Sequence, residues 1–356
     1  MKNLLLLSLL ISLLSVWTSP TMAAKKIYKW RIADSWPKDF PLFGDAVLKM
    51  INNAKTLSNG RLLITSESAE MHNRPLEIFN MVKSNEYEMG HTASYYWKDL
   101  DVNTLFFSTL PLGMITPEQQ AWFYYGGGME LMKKVYDKHG LLSFPGGNTG
   151  NQMGGWFRKE IKSIADLKGV KMRITGLASD VIKTLGVQTI NIPAFELYEA
   201  LESGRIDALE WVGPSLDLSM GFHKIAPYYY TGWQEPATEL QFIVNPEAYN
   251  KLPKDLQAVL KASMKLAAQD TYFEMYHASI VNLDRMRAKF PSIKIRSFPN
   301  EVIRALSRET SRQLEQLTHR GNPLTREIVD SISSYKSKAR VWTRISDQAY
   351  LNNSGL

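Results

Sequence analysis

A handful of side chains in this sequence are of types and spacings that bear on chemistry. The glycine-rich run GGNTGNQMGGWF, residues 146–157, sets two uncharged amides, Asn148 and Gln152, on a backbone too soft for a helix and too polar for a core strand. Arg173 sits inside KMRIT, where a cation on a half-buried strand requires an anionic partner. Glu210 and Trp211 end IDALEW, Gln241 lies in ATELQFIVN, and Tyr95 and Tyr96 end MGHTASYYW. Local hydrogen bonding accounts for any one of them. Gathered at strand ends and loops that border one segment, they read as the lining of a cleft. Catalytic signatures are missing: there is no GxSxG elbow, no P-loop, no GxGxxG after a strand and no HExxH. His72, His91, His139, His223, His277 and His319 are isolated, without metal-ligand spacing, and read as surface or packing residues.

The elements that must position these groups alternate between strand and helix. IYKWRIAD alternates apolar and polar residues as a strand does, and FGDAVLKMINNAKTLSNGRLLITSES reads as a helix closed near Gly60 and a second strand. Thr116 and Pro117 read as N-cap and first residue of a helix that the glycines at 126–128 interrupt. The middle third is clearest. GVKMRIT, VQTINI and IDALEWV are strands; between them lie a helix ended by Gly186 and another running from Pro193 to Gly204. This rhythm predicts an α/β fold with ligands near the C-terminal ends of the strands. After Pro253 the chain turns helical at three-to-four spacing, with further helices from about Asn300 to Thr318 and from about Leu324.

The N-terminus, MKNLLLLSLLISLLSVWTSPTMAAKK, has an early lysine, an apolar run from Leu4 to about Val16 and small residues near Ala23, the pattern of a cleaved secretory signal. That run is shorter than the ~20 residues a membrane span needs. An exported, periplasmic protein of ordinary globular composition follows. The 356 residues favour two domains. The absence of cysteine excludes a disulfide scaffold, zinc–thiolate sites and thiol catalysis. The net charge of +7 invites a nucleic-acid reading, yet the basic residues are interleaved with acids, as in NEVIRALSRETSRQLEQL, which describes a solvated helix face. Nucleic acid is therefore not an expected partner.

Four stretches make a family resemblance specific: PLEIFNMVKSNEYEMGHTASYYW, GNTGNQMGGWFRKEIKSIADLKGVKMRITG, LYEALESGRIDALEWVGP and PEAYNKLPKDLQAVL. They resemble the solute-binding subunits of tripartite ATP-independent periplasmic (TRAP) transporters, in the branch that binds 2-oxo acids and related monocarboxylates with a metal ion. The resemblance implies a two-lobed, hinged, periplasmic-binding-protein-like fold with long C-terminal helices. The expected division is a signal peptide at 1–23, lobe I at 24–147 with 242–299, lobe II at 148–241, and a bracing helical region at 300–356. It implies that Arg173 pairs with the substrate carboxylate, that Asn148 and Tyr96 touch the substrate, and that the ion is held by Gln152, Glu210, Gln241 and the main-chain oxygen of Trp211; Gln152 and neighbouring Tyr95 are expected to border the substrate as well. Many relatives have glutamate at the position matched to Gln241.

Such a ligand set makes chemical sense. An ion held by oxygens uses neutral carbonyl donors beside carboxylates, and with no sulfur or imidazole on offer calcium and sodium are favoured over zinc and copper. A 2-oxo or 2-hydroxy acid can close a five-membered chelate on the ion, which a plain fatty acid cannot. With no second cation evident for a distal carboxylate, pyruvate- or lactate-like monocarboxylates are expected over C4 dicarboxylates. The expected partners are a small organic acid anion and the integral membrane subunits of the transporter, with a homodimer left open. The alternative is a periplasmic enzyme acting on a small oxo acid in the same cleft.

Overall fold

The computed structural model describes residues 26–355, so the signal peptide expected at 1–23 lies outside the described residues. The described strands are β1 (Tyr28–Asp34), β2 (Leu62–Glu67), β3 (Met89–Thr92), β4 (Leu142–Asn148), β5 (Gly155–Phe157), β6 (Lys171–Arg173), β7 (Gln188–Ile190), β8 (Ala208–Leu209), β9 (Tyr228–Tyr230), β10 (Glu239–Val244) and β11 (Lys294–Arg296). They form a five-stranded sheet, β2-β1-β3-β10-β4, and a six-stranded sheet, β11-β9-β5-β8-β6-β7. Each sheet founds one lobe of a two-lobed periplasmic-binding-protein fold. In the first, β1, β2 and β3 run parallel and β10 is wedged antiparallel between β3 and β4. The alternation foreseen for the first strand is present: Trp30 and Ile32 are buried while Lys29 and Arg31 face out. β10 is buried along its whole length, so its polar members, Glu239 and Gln241, must find partners inside the protein.

The chain passes from the first sheet to the second after β4 and returns before β10, so two adjacent strands carry the crossovers. A third connection is α1 (Lys254–Lys289), 36 residues long, which packs on helix Phe43–Leu57 and β4 of the first lobe and on helix Pro214–Met220 of the second. It then delivers β11 to the edge of the second sheet, parallel to β9. α2 (Asn300–Arg320) packs on helix Gly176–Lys183 of the second lobe. α3 (Pro323–Ile345) lies on the first lobe, where Arg340 Nη2 and Thr343 Oγ1 donate to the Glu118 carboxylate at 2.9 and 2.6 Å. Its start is capped by Asn322, whose side-chain oxygen accepts from the N–H groups of Leu324 and Thr325.

Two boundaries differ from expectation. β11 belongs to the second sheet, so the first lobe does not extend unbroken to 299. β10 begins at Glu239 in the first sheet, so the second lobe's sheet does not include 239–241. Both follow from strand pairing, which periodicity alone does not report. The helix expected from Pro193 opens as a 3₁₀ turn, Ala194–Glu196, before the α-helix Leu197–Glu202.

Candidate ligand and ion site

β8 is only two residues long and pairs Met172 with Ala208 and Arg173 with Leu209. Its short ladder ends with the Glu210 N–H donating to the Arg173 carbonyl at 3.0 Å. Glu210 and Trp211 thus leave the sheet directly beside the Arg173 side chain, which is 2% exposed. The guanidinium Nη1 donates to the Glu210 carbonyl at 2.6 Å and to its carboxylate at 3.2 Å, and the guanidinium carbon lies 5.1 Å from the centre of the Trp211 ring. The arginine therefore has the acid partner that its place in the strand demanded. Its Nε nevertheless has no hydrogen-bond partner.

Gln152 enters from the glycine run. Its N–H donates to the Glu235 carbonyl at 3.0 Å and its side-chain nitrogen to Thr149 Oγ1 at 2.9 Å, which leaves Oε1 buried and unpaired. The fit here explains one glycine: a Cβ on Gly232 would stand 1.9 Å from the Gln152 carbonyl oxygen. Glu210 Oε1 and Glu235 Oε1 are likewise buried without a donor. A buried polar atom left unpaired costs on the order of 1–3 kcal/mol. Several such atoms around one space mark a site completed by something else.

That space is a small, nearly filled cavity of about 10 Å³ between the lobes, walled by Trp36, Phe43, Tyr95 and Tyr96 on one side and Gln152, Arg173, Trp211 and Val212 on the other. Further contacts join the two lobes. Trp211 meets Phe40 and Phe43 with ring centres 6.1 and 6.3 Å apart, and Lys98 Nζ pairs with Asp180 at 2.6 Å.

The electrostatics point to a cation. Burial pushes the Glu210 carboxyl well above the usual range, and the negative charge of Glu235 adds to this; Arg173 pulls the other way. Burial raises Glu235 to about 7, against the opposing hydrogen bond from Thr238 Oγ1 at 2.6 Å and the pull of Arg173. Two carboxylates this close and this dry resist ionising together unless a positive ion joins them. The unpaired oxygens near this space are Gln152 Oε1, Glu210 Oε1 and Glu235 Oε1. Among the described residues no three His, Cys, Asp or Glu side chains converge.

Five of the residues foreseen from sequence, Tyr95, Tyr96, Gln152, Arg173 and Trp211, line this cavity, and Glu210 stands behind Arg173. Two do not reach it. Gln241 donates to Ser143 Oγ at 2.7 Å and accepts from Trp97 Nε1 at 3.4 Å, because alternation along β10 turns Leu240 to the cavity and Gln241 away. Asn148 spends its amide on the crossover. Its oxygen accepts from Thr116 Oγ1 and the Gly150 N–H, and its nitrogen donates to Gln119 and Glu239 at 2.8 and 3.0 Å. Glu235, in the irregular segment GWQEPAT between β9 and β10, was not foreseen from the sequence. A lone acid before a proline in an otherwise uncharged stretch was the available signal.

Residues 32–320 match the family described as bacterial extracellular solute-binding protein, family 7 (DctP). The chain belongs to this family. Among its family-7 relatives, a monocarboxylate 2-oxoacid-binding periplasmic protein from Nostoc sp. is 35% identical over 347 residues, covering 96% of this chain and 93% of that one. A TRAP periplasmic solute-binding protein from Colwellia psychrerythraea, solved with bound calcium and pyruvate, is 58% identical with a TM-score of 0.91, covering 92% of this chain and 100% of that one. Its counterpart from Pseudoalteromonas atlantica T6c, solved with sodium and pyruvate, is 56% identical with a TM-score of 0.90, covering 92% and 99%. Family 7 proteins are binders, so the enzyme alternative is set aside. The family is bacterial and extracytoplasmic, and no helix among the described residues is long and apolar enough to cross a membrane.

Proposed function

We propose that this protein is the periplasmic receptor of a TRAP-type transporter. It captures a 2-oxo or 2-hydroxy monocarboxylate together with a calcium or sodium ion and delivers the acid to membrane subunits after its signal peptide is cleaved. The observation that carries this reading is the set of unpaired buried atoms, Arg173 Nε, Gln152 Oε1, Glu210 Oε1 and Glu235 Oε1, in and around one small interlobe cavity. The pyruvate and the ions bound by the two solved relatives above support it.

In this reading Arg173, already anchored through Nη1, turns its remaining edge to the acid's carboxylate. Gln152, Glu210, Glu235 and the Trp211 carbonyl would hold the ion, which supplies a positive charge on which carboxylate and 2-oxygen can chelate. Two protein carboxylates and one from the acid, set against one guanidinium, leave two negative charges; calcium cancels both and sodium one. The tyrosines and Trp36 exclude water and leave room only for a short apolar tail. The lobes, 24–147 with most of 242–299 and roughly 148–238, close over the acid because only the closed form offers contacts from both.

The test is calorimetry of pyruvate, 2-oxobutyrate, lactate, butyrate and succinate on chelator-treated protein, with and without added calcium or sodium. Ion-dependent binding of the first three is expected. Tight succinate or butyrate binding with none of the others refutes the chelate, and equal pyruvate binding without ions refutes the metal.

A further inference from the structure

The segment that would hold the ion, Glu210 to Gly213, is itself held by one buried carboxylate that does not line the cavity. Asp217, 1% exposed, lies in the first turn of helix Pro214–Met220. Its Oδ1 accepts from the N–H groups of Gly213 and Val212 at 2.9 and 3.2 Å. Its Oδ2 accepts from Trp156 Nε1 and the Tyr229 hydroxyl at 2.9 and 2.8 Å. Trp156 on β5 and Tyr229 on β9 are stacked, ring centres 3.8 Å apart and planes 14° from parallel, so the two side-chain donors are rigidly presented. From the other side, Asn282 of α1 donates to the carbonyls of Pro214 and Ser215, both at 3.0 Å.

Three of the four donors to Asp217 are N–H groups that cannot reverse their polarity. Four donors match the lone pairs of a carboxylate, whereas an amide nitrogen in place of Oδ2 would set donor against donor at Trp156. Burial pushes its pKa up to about 6, which still leaves it ionised at pH 8. Its negative charge reaches the site, where it adds to the forces raising Glu210.

We propose that Asp217 is a positioning residue of the ion site that also places a third protein negative charge beside it, and that this charge biases the site toward a divalent cation over a monovalent one. The inference rests on the ion-binding reading above. Its physics separates two contributions. Losing the hold on the Glu210–Gly213 segment weakens every ion alike. Losing the charge costs an ion in proportion to its own charge, so a divalent ion loses twice as much in log affinity as a monovalent one.

The experiment measures the dependence of pyruvate affinity on calcium and, separately, on sodium at pH 8, for wild type and Asp217→Asn, with the melting temperature of each ion-free protein as a check on folding. Replacement of a group that orients metal ligands typically costs about 10–100-fold in affinity. A calcium loss in that range with a clearly smaller sodium loss is expected. Equal factors for the two ions, or no change in either, overturn the inference. A wild-type protein that ignores both ions refutes the functional reading and takes this inference with it. Should Asp217→Asn not fold, Tyr229→Phe decides: it keeps the charge and loosens the hold, so both ions should weaken by a common factor. Unchanged affinities there overturn the positioning role.

Discussion

Replacing Arg173 by lysine keeps the charge of the cavity and removes its geometry. The guanidinium now serves two masters: Nη1 is committed to the Glu210 carbonyl and carboxylate at 2.6 and 3.2 Å, and the unpaired Nε edge remains for the acid. A lysine ammonium at the same depth is a point donor on a flexible stem and cannot present both edges at once. The acid therefore loses a charge-assisted hydrogen bond worth about 1.5–3 kcal/mol. That loss corresponds to an affinity roughly 10- to 150-fold weaker. Calorimetric titration of pyruvate at saturating calcium measures this directly, with the melting temperature of the ligand-free variant reporting whether the fold survives. A folded Arg173→Lys protein whose Kd stays within threefold of wild type refutes the assignment of Arg173 as the carboxylate anchor.

Glu235→Gln should lower ion affinity at least tenfold, since losing even a group that only orients a metal ligand costs about 10–100-fold, whereas Gln241→Ala should leave the ion dependence of pyruvate binding unchanged. The reverse pattern in ion-titrated calorimetry would restore Gln241 as the ligand. Glu239, fully buried at the crossover and accepting from Gly147 N–H and Asn148 Nδ2 at 3.0 Å each, is raised by burial to about 7. The folded state then binds more protons than the unfolded state between about pH 4.5 and 7, so stability falls as pH rises through that window. Glu239→Gln should accordingly be more stable than wild type at pH 8, by up to about 3 kcal/mol, with the advantage gone near pH 4. Denaturation curves of both proteins at the two pH values check this, and an advantage independent of pH would show that titration is not its source.

The two lobes were expected from the family resemblance, and five of the eleven residues lining the cavity were legible because strand ends announce themselves. KMRIT and IDALEW each stop at a polar or aromatic residue beyond an apolar run, and parallel pairing of β6 with β8 brings those ends together. Gln241 misled because ELQFIV is apolar around it, and a strand buried on both faces hides which face a residue takes. The register of β10 against β4 also shifts between Leu240 and Gln241, which no sequence period encodes. Asn148 misled for the opposite reason: a glycine-flanked amide looks free for a ligand, yet this one fills its hydrogen bonds with Thr116, Gln119 and Glu239 across long sequence separations. Glu235 escaped notice because its segment has no period at all. The edge pairing of β11 follows from where a 36-residue helix happens to end, a long-range fact that short windows do not carry.

The contacts that join the lobes set a clock. With Trp211 against Phe40 and Phe43, and Lys98 joined to Asp180, parting the lobes breaks an aromatic cluster and an ion pair, and an acid that leaves by that route must wait for it. Its residence time cannot be shorter than the interval between openings, however weak its own contacts. Two acids of very different affinity would then share one ceiling on their rate of escape, and a membrane partner that pries the lobes apart would govern release without touching the acid at all.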